Sequence, residues 1–236
     1  MVKNHIKRIT APTSWPIRRK NNVFIAKPNA GAHSIQNGTS LLTFFKEILN
    51  VCKTSKEVSN VINLKGVLVN GKKVLDKHYN VGLYDVVKVE ATGEEFRIYF
   101  DSFGKLAVCA ADNVSLIPSK IIKKTVIKGG KVQINCSNGI NIIVIDSKYV
   151  IGDTLLFEVP KLKIKEHIKL EKGAFVQIVE GKYRGLKGDV SDLIRYSGSA
   201  NNDLITIVTS DGKEVSTLKS YAFVLGKKKP VIALGE

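Results

Sequence analysis

Apolar positions along this chain change their period once, near Phe96. Upstream, Leu41, Leu42, Phe44, Phe45, Ile48 and Leu49 recur at helical spacing behind Ser40, a residue suited to cap the helix. A second helix is predicted to open at Thr54-Ser55-Lys56-Glu57, the order of a capping box, with Val58, Val61 and Ile62 as its apolar face. The stretch GVLVNGKKVLD then sets Asn70-Gly71 between two short apolar runs, the dipeptide that most favours a two-residue hairpin turn. A further strand is predicted over 85–90. Downstream of Phe96 the helical period is gone. FRIYFDSFGKLAVCA reads as strand, turn, strand, and TVIKGGKVQINCSNGINIIVI places Gly129-Gly130 and Asn138-Gly139 between β-branched runs. Gly152-Asp153 turns into a strand over 155–159, and AFVQIVEG, KGDVSDL and NDLITIVTSDGKEVSTL repeat the pattern. Short strands with turns every 8 to 12 residues or so predict compact β-barrels or sandwiches.

The remaining segments are read from what they lack. Residues 1–40 contain Pro12, Pro16 and Pro28 and few apolar residues at either period, so they read as an extended arm that cannot bury its own core. Pro160 and the lysine-rich KLKIKEHIK are read as a change of domain. The predicted organisation is a basic arm (1–39), a small α/β domain (40–93), a central β domain (94–168), a second β domain (169–225) and a basic tail (226–236). The fold class is α+β, mostly β.

Charge sharpens this picture. Among 236 residues, 37 Lys and Arg stand against 21 Asp and Glu, a formal charge of +16. Such an excess favours a polyanionic partner, because each phosphate neutralised releases condensed counterions. The arm concentrates it: Lys3, Lys7, Arg8, Arg18, Arg19, Lys20 and Lys27 precede the first acid, Glu47. Trp15, the only tryptophan, sits among them, either pinning the arm to a domain behind it or stacking on a base or sugar. No apolar run of about 20 residues is present to span a bilayer, and the N-terminus leads into no signal-peptide core. Cys52, Cys109 and Cys136 are far apart and outside any zinc-binding spacing, so buried free thiols are expected, with no metal.

The stretch VEGKYRGLKGDV, residues 179–190, could suggest a phosphate loop. It contains no Gly-Lys-Ser/Thr, and the segment after Gly188 reads as a strand, which excludes both the Walker loop and the dinucleotide fingerprint. His5, His33, His78 and His167 are scattered, with His33 and His78 read as ordinary surface or turn residues. Glu94-Glu95 and Asp189/Asp192 read as solvated carboxylates. No catalytic constellation, cofactor or small-molecule substrate is indicated.

A strand over 176–179 followed by Gly181, Gly185 and Gly188 resembles the KOW motif of ribosomal proteins and transcription elongation factors. Its glycines permit positive φ and close backbone approach at the turn. The resemblance implies an SH3-like barrel whose turn carries Lys182, Tyr183, Arg184 and Lys187 towards RNA. TSKEVSNVINLKGVLVNGKKVLDKHYNVGLYDVVKV is similar to the S-four RNA-binding domain, with Lys53, Lys56, Lys72 and Lys73 as its candidate contacts. Many such domains carry several arginines on the second helix, which this chain lacks. With HIKRITAPTSWPI and KPNAGAHS in the arm, the order of segments resembles the small-subunit ribosomal protein S-four-e family along nearly the whole chain. The absence of a long C-terminal extension favours an archaeal member. The resemblance implies a non-enzymatic constituent of the small ribosomal subunit, in the cytoplasm, with small-subunit rRNA (5′ domain) and neighbouring ribosomal proteins as partners. Its rRNA contacts would be Lys3, Lys7, Arg8, Trp15, Arg18, Arg19 and Lys20 in the arm, plus the eight residues just named. The arm is expected to be mobile until rRNA orders it. The alternative is a non-ribosomal RNA-binding protein, such as an accessory factor for RNA modification or transcription elongation.

Overall fold

A computed structural model of the chain describes residues 5–111, 114–145, 148–194, 203–210, 212–227, 229–232 and 235. They fall into two compact units: 1–100 with 105–117 and 235, and 101–104 with 118–234 and 236.

In the first unit, β1 (Ile6–Lys7) and β2 (Phe24–Ile25) form an antiparallel ribbon with Lys7 opposite Phe24. There follow β3 (Gly38–Ser40), α1 (Leu41–Thr43), α2 (Ser55–Asn60), β4 (Val67–Val69), β5 (Lys72–Val74), β6 (Asn80–Gly82), β7 (Val86–Val89), β8 (Glu95–Phe100) and β9 (Leu106–Ala110). β3 pairs with β6, and the other five strands form one sheet in the order β5-β4-β7-β8-β9. Both predicted caps are present. Ser40 Oγ accepts from the Thr43 amide, and Thr54 Oγ1 accepts from the Glu57 amide while Glu57 returns the bond to Thr54. The helix expected over 41–49 widens after α1 into π turns at Phe44–Ile48, where Leu49 N donates to Phe44 O. Adjacent residues of a regular α-helix point about 100° apart; the wider turn accompanies the burial of both Phe44 and Phe45, stacked edge to face. Asn70 and Gly71 take the positive φ of 51° and 74° that the β4–β5 hairpin requires.

Two expectations for this unit need correction. The arm is not detached: Ala11, Ser14 and Trp15 are buried, Ser14 Oγ donates to Gln36 O, and Leu106 N donates to Ser14 O. Its buried Trp15 is held to the start of β3 by the bond from Nε1 to Gly38 O. The boundary expected at 93/94 runs through a hairpin, because β7 pairs with β8 at Val87↔Phe96.

The second unit takes up the chain within β10 (Leu116–Val126) and continues through β11 (Val132–Cys136), β12 (Asn141–Val144), β13 (Thr154–Glu158), β14 (Lys163–Ile168), β15 (Phe175–Ile178), β16 (Lys187–Ile194), β17 (Leu204–Thr209), β18 (Glu214–Leu218) and β19 (Ala222–Gly226). One sheet has the order β12-β11-β10-β13-β14, with β10–β11, β11–β12 and β13–β14 antiparallel, and the other has the order β18-β17-β16-β15-β19, antiparallel throughout. KLKIKEHIK marks no change of domain: it holds β14, which returns along β13 with Thr154 opposite Ile168. Leu156, Ile168 and Leu170 share one core with Val176, Ile178, Val190, Ile205, Ile207, Ala222 and Val224, so the boundary expected at 168/169 cuts through packed side chains. Each Val, Leu or Ile among them gains about 1.5–3 kcal/mol by leaving water. The basic tail folds back, with Val231 N donating to Leu225 O and Ile232 buried.

A buried cation anchors this core. Lys120 Nζ donates to Ser220 O and Ala222 O, both at 2.6 Å, and to Lys219 O at 3.4 Å. Burial lowers its pKa from 10.5 to about 8, against the opposing pull of the Glu180 charge. Lys120→Met takes this donor from the Ser220 and Ala222 carbonyls, while Lys219 O keeps its bond from Ala222 N, and is expected to cost about 2–3 kcal/mol. Between pH 8 and 10.5 or so the unfolded chain holds a proton that the folded one has released, so this group makes stability rise with pH there. Urea unfolding of wild type and K120M across that window should show the rise only in the wild type.

Candidate nucleic-acid interface

The basic side chains divide into those that face solvent and those that build the protein. In the arm, Lys7, Arg18 and Lys20 are exposed. Arg8 is 2% exposed; its Nη2 lies 2.6 Å from Glu47 Oε2 and its Nε donates to Arg18 O. Arg19 donates to the carbonyls of Ile9, Ala11 and Pro12 at 2.8–3.1 Å. Trp15 is buried with Nε1 donating to Gly38 O at 3.0 Å, so it is the pin and not the stacking surface. Arg8 and Trp15 are therefore corrected from contact candidates to interior residues, and Arg19 to a brace of the backbone. Lys3 lies outside the described residues.

In the helix and hairpin, Lys53, Lys56, Lys72 and Lys73 are all exposed. Lys53 also gives its backbone amide to Glu57 at 2.8 Å. That bond, with the Thr54 hydroxyl and amide bonds, holds the Glu57 carboxyl below its usual pKa. Lys72 and Lys73 lie on β5, an edge strand, and successive strand residues point to opposite faces. Lys77 Nζ reaches Ser55 Oγ at 3.4 Å, which brings the end of the hairpin to the start of α2.

In the turn between β15 and β16, Gly181 and Gly185 have φ of +83° and +96°. A Cβ on Gly185 would run into the carbonyl oxygen of Asp101, and one on Gly188 into that of Val208. The glycine pattern thus serves backbone packing within the second unit. Lys182 is exposed, 5.6 Å from the centre of the Tyr183 ring, while Arg184 and Lys187 are half-buried. Tyr183 packs on the core, which turns its ring away from a role as a projecting contact.

The histidines hold what sequence patterns left unassigned. His33 Nε2 donates to Asp85 Oδ2 at 2.8 Å with both side chains buried, and Asp85 also accepts from Gly82 N and Asn70 Nδ2. Burial pulls the His33 pKa down, but the Asp85 charge and hydrogen bond outweigh it and leave it raised. Burial pushes Asp85 up, and the charge and bond of His33, with Asn70 and Gly82, bring it below its ordinary value. His78 Nδ1 lies 3.1 Å from Lys27 O. Both histidines secure the arm and are not ordinary surface residues. The faint signal was the Gly-x-x-Asp spacing, which lets the Asp85 carboxylate accept from the Gly82 amide.

A model of the ribosomal family S4e matches residues 92–164, and an RS4NT domain matches residues 2–36. The small ribosomal subunit protein eS4 of Methanocella arvoryzae is 33% identical over 232 residues, covering 98% of each chain. The chain belongs to the ribosomal S4e family. The eS4 of Archaeoglobus fulgidus is 34% identical over 240 residues, spanning all of both chains. The crystal structure of the 30S ribosomal protein S4e from Thermoplasma acidophilum superposes with a TM-score of 0.68 at 25% identity, over 80% of this chain and 95% of that one. In this S4e chain the RS4NT match covers the segment tied down by Arg8, Trp15 and His33, and the other match runs from the turn before β8 into β14.

Two outcomes are expected. Gly185→Ala combines backbone strain with the Asp101 clash and should cost about 3 kcal/mol, more than Gly181→Ala, whose Cβ would meet only the Tyr221 ring; urea unfolding measures both. Because the His33 pKa is raised above 6.5, its contribution is complete below pH 6.5 and is lost as pH rises through the folded value. The stability difference between wild type and His33→Gln, followed from pH 6 to about 9, should therefore shrink.

Proposed function

We propose that this chain is a structural constituent of the small ribosomal subunit, binding that subunit's rRNA and stabilising its folded form. The observation that carries the reading is similarity along essentially the whole length to chains named small ribosomal subunit protein eS4. Charge supports it, with 37 basic residues against 21 acidic ones. Within this reading, the helices and hairpin between β3 and β7 act as an S-four RNA-binding segment and the sheet of β15 to β19 as an SH3-like KOW barrel. The rRNA contacts are Lys7, Arg18, Lys20, Lys53, Lys56, Lys72, Lys73, Lys182, Arg184 and Lys187, with Lys3 added from the segment before residue 5. Arg8, Trp15, Arg19 and Tyr183 support them from inside. The 5′ domain of the rRNA and adjacent ribosomal proteins are the proposed neighbours.

The mechanism is multivalent phosphate neutralisation. Several cationic sites on one chain grip separate rRNA segments, so each later contact benefits from a high effective concentration. Backbone and shape recognition dominate, with base contacts confined to unpaired nucleotides. On a sucrose gradient in moderate salt the chain should travel with small subunits; recovery at the top would sink the reading. With purified rRNA, the logarithm of affinity should fall steeply with the logarithm of salt, and Lys72→Ala/Lys73→Ala should reduce that slope by about 2.

A further inference from the structure

We infer that the β1–β2 ribbon is a stacking platform for an unpaired nucleotide, with Phe24 as the ring on which the base lies. The inference rests on the rRNA reading and deepens it. Trp15, the aromatic residue that sequence alone offers for stacking, is buried, and the arm's exposed aromatic surface lies elsewhere. Phe24 is 55% exposed and stands opposite Lys7, while Val23 beside it in sequence and Ile9 in the turn after β1 are exposed at 67% and 69%. The His5 ring meets Phe24 edge to face at 5.4 Å, which fixes the ring's orientation. Three ties join these residues into one body: Lys7 pairs with Phe24, Arg8 N donates to Val23 O at 2.9 Å, and Arg8 Nε donates to Arg18 O. Arg19 adds its bond to Ile9 O.

This arrangement has a division of labour. Arg8 and Arg19 turn inward and hold the backbone, so the ribbon is ordered before anything binds. Lys7, opposite Phe24, and Arg18 and Lys20, in the segment whose Arg18 O accepts from Arg8 Nε, remain exposed. The one acid drawn in, Glu47, is engaged by Arg8, and residues 1–46 contain no other. A surface of this composition matches a nucleotide strand, whose base offers a π-face and whose phosphates offer charge to the flanking cations. An acidic protein segment would satisfy the cations but not the ring. A duplex would satisfy the cations while keeping its bases stacked inside, away from Phe24.

The test uses the full chain with a labelled 20-nucleotide oligouridine, a 20-base-pair RNA duplex and a small-subunit rRNA transcript. Phe24→Ala is expected to weaken oligouridine binding about tenfold, to change duplex binding by less than about twofold, and to leave the salt slope unaltered. Phe24→Trp should bind as well as wild type, and Phe24→Leu should resemble F24A. Ultraviolet crosslinking to oligouridine should place an adduct on the peptide containing Phe24. Wild type that prefers duplex, or F24A that binds oligouridine like wild type, overturns the inference. If F24L matches wild type while F24A is weak, the contact is merely apolar and the stacking role is refuted. F24A and F24L binding the transcript normally and steeply with salt would end this inference alone; wild type that ignores the transcript would end the parent reading as well.

Discussion

The first unit depends on one buried carboxylate. Asp85 gathers the imidazole of His33 from the arm, the amide of Gly82 from its own turn and the side-chain amide of Asn70 from the hairpin. An ionised carboxylate away from water is costly unless donors surround it, and here they come from three places in the sequence. Asn70 closes the set, since its Oδ1 accepts from Val86 N. One charge therefore fixes the arm, the hairpin turn and the start of β7 together. The second unit repeats the device: Asp153 accepts from Val150 N, three residues before it, from His167 Nε2 and from Leu170 N. In each unit an aspartate at a tight turn takes an amide from three residues back and an imidazole from a distant strand or segment.

What could be read in the sequence was local chemistry. The Ser40 cap, the Thr54–Glu57 box, the Asn70-Gly71 turn and the positive φ of Gly181 and Gly185 all follow from residues within a few positions of each other. What could not be read were long-range partners. Nothing near Arg8 announces that Glu47 will neutralise it, although the first acid after a long basic run is the natural candidate. KLKIKEHIK was obscured differently. Its alternating apolar and charged residues are those of a strand, and a bulge sends Ile164 and Ile168 to different cores, but its charge density reads as a change of domain.

Among the candidate contacts, the same limit explains why Arg8, Trp15, Arg19 and Tyr183 moved inward while the exposed lysines stayed out. Arginine's planar fork suits several fixed carbonyl or carboxylate acceptors at once, as in Arg19, whereas a lysine outside the core keeps its hydrated head in solvent. Among the described lysines Lys120 is the buried exception, and three carbonyls receive its head. The net charge of +16 therefore overstates the cationic surface offered to a polyanion.

The bond from Leu106 N to Ser14 O sets an order on synthesis. Ser14 leaves the translating ribosome some 90 residues ahead of its partner, and at roughly 5–20 residues per second that gap lasts at least about 5 s. For those seconds the Trp15 segment has no completed core to enter. The nascent chain thus presents its most cationic segment, still unfolded and with its apolar residues uncovered, to the cell before the protein that will shelter it exists.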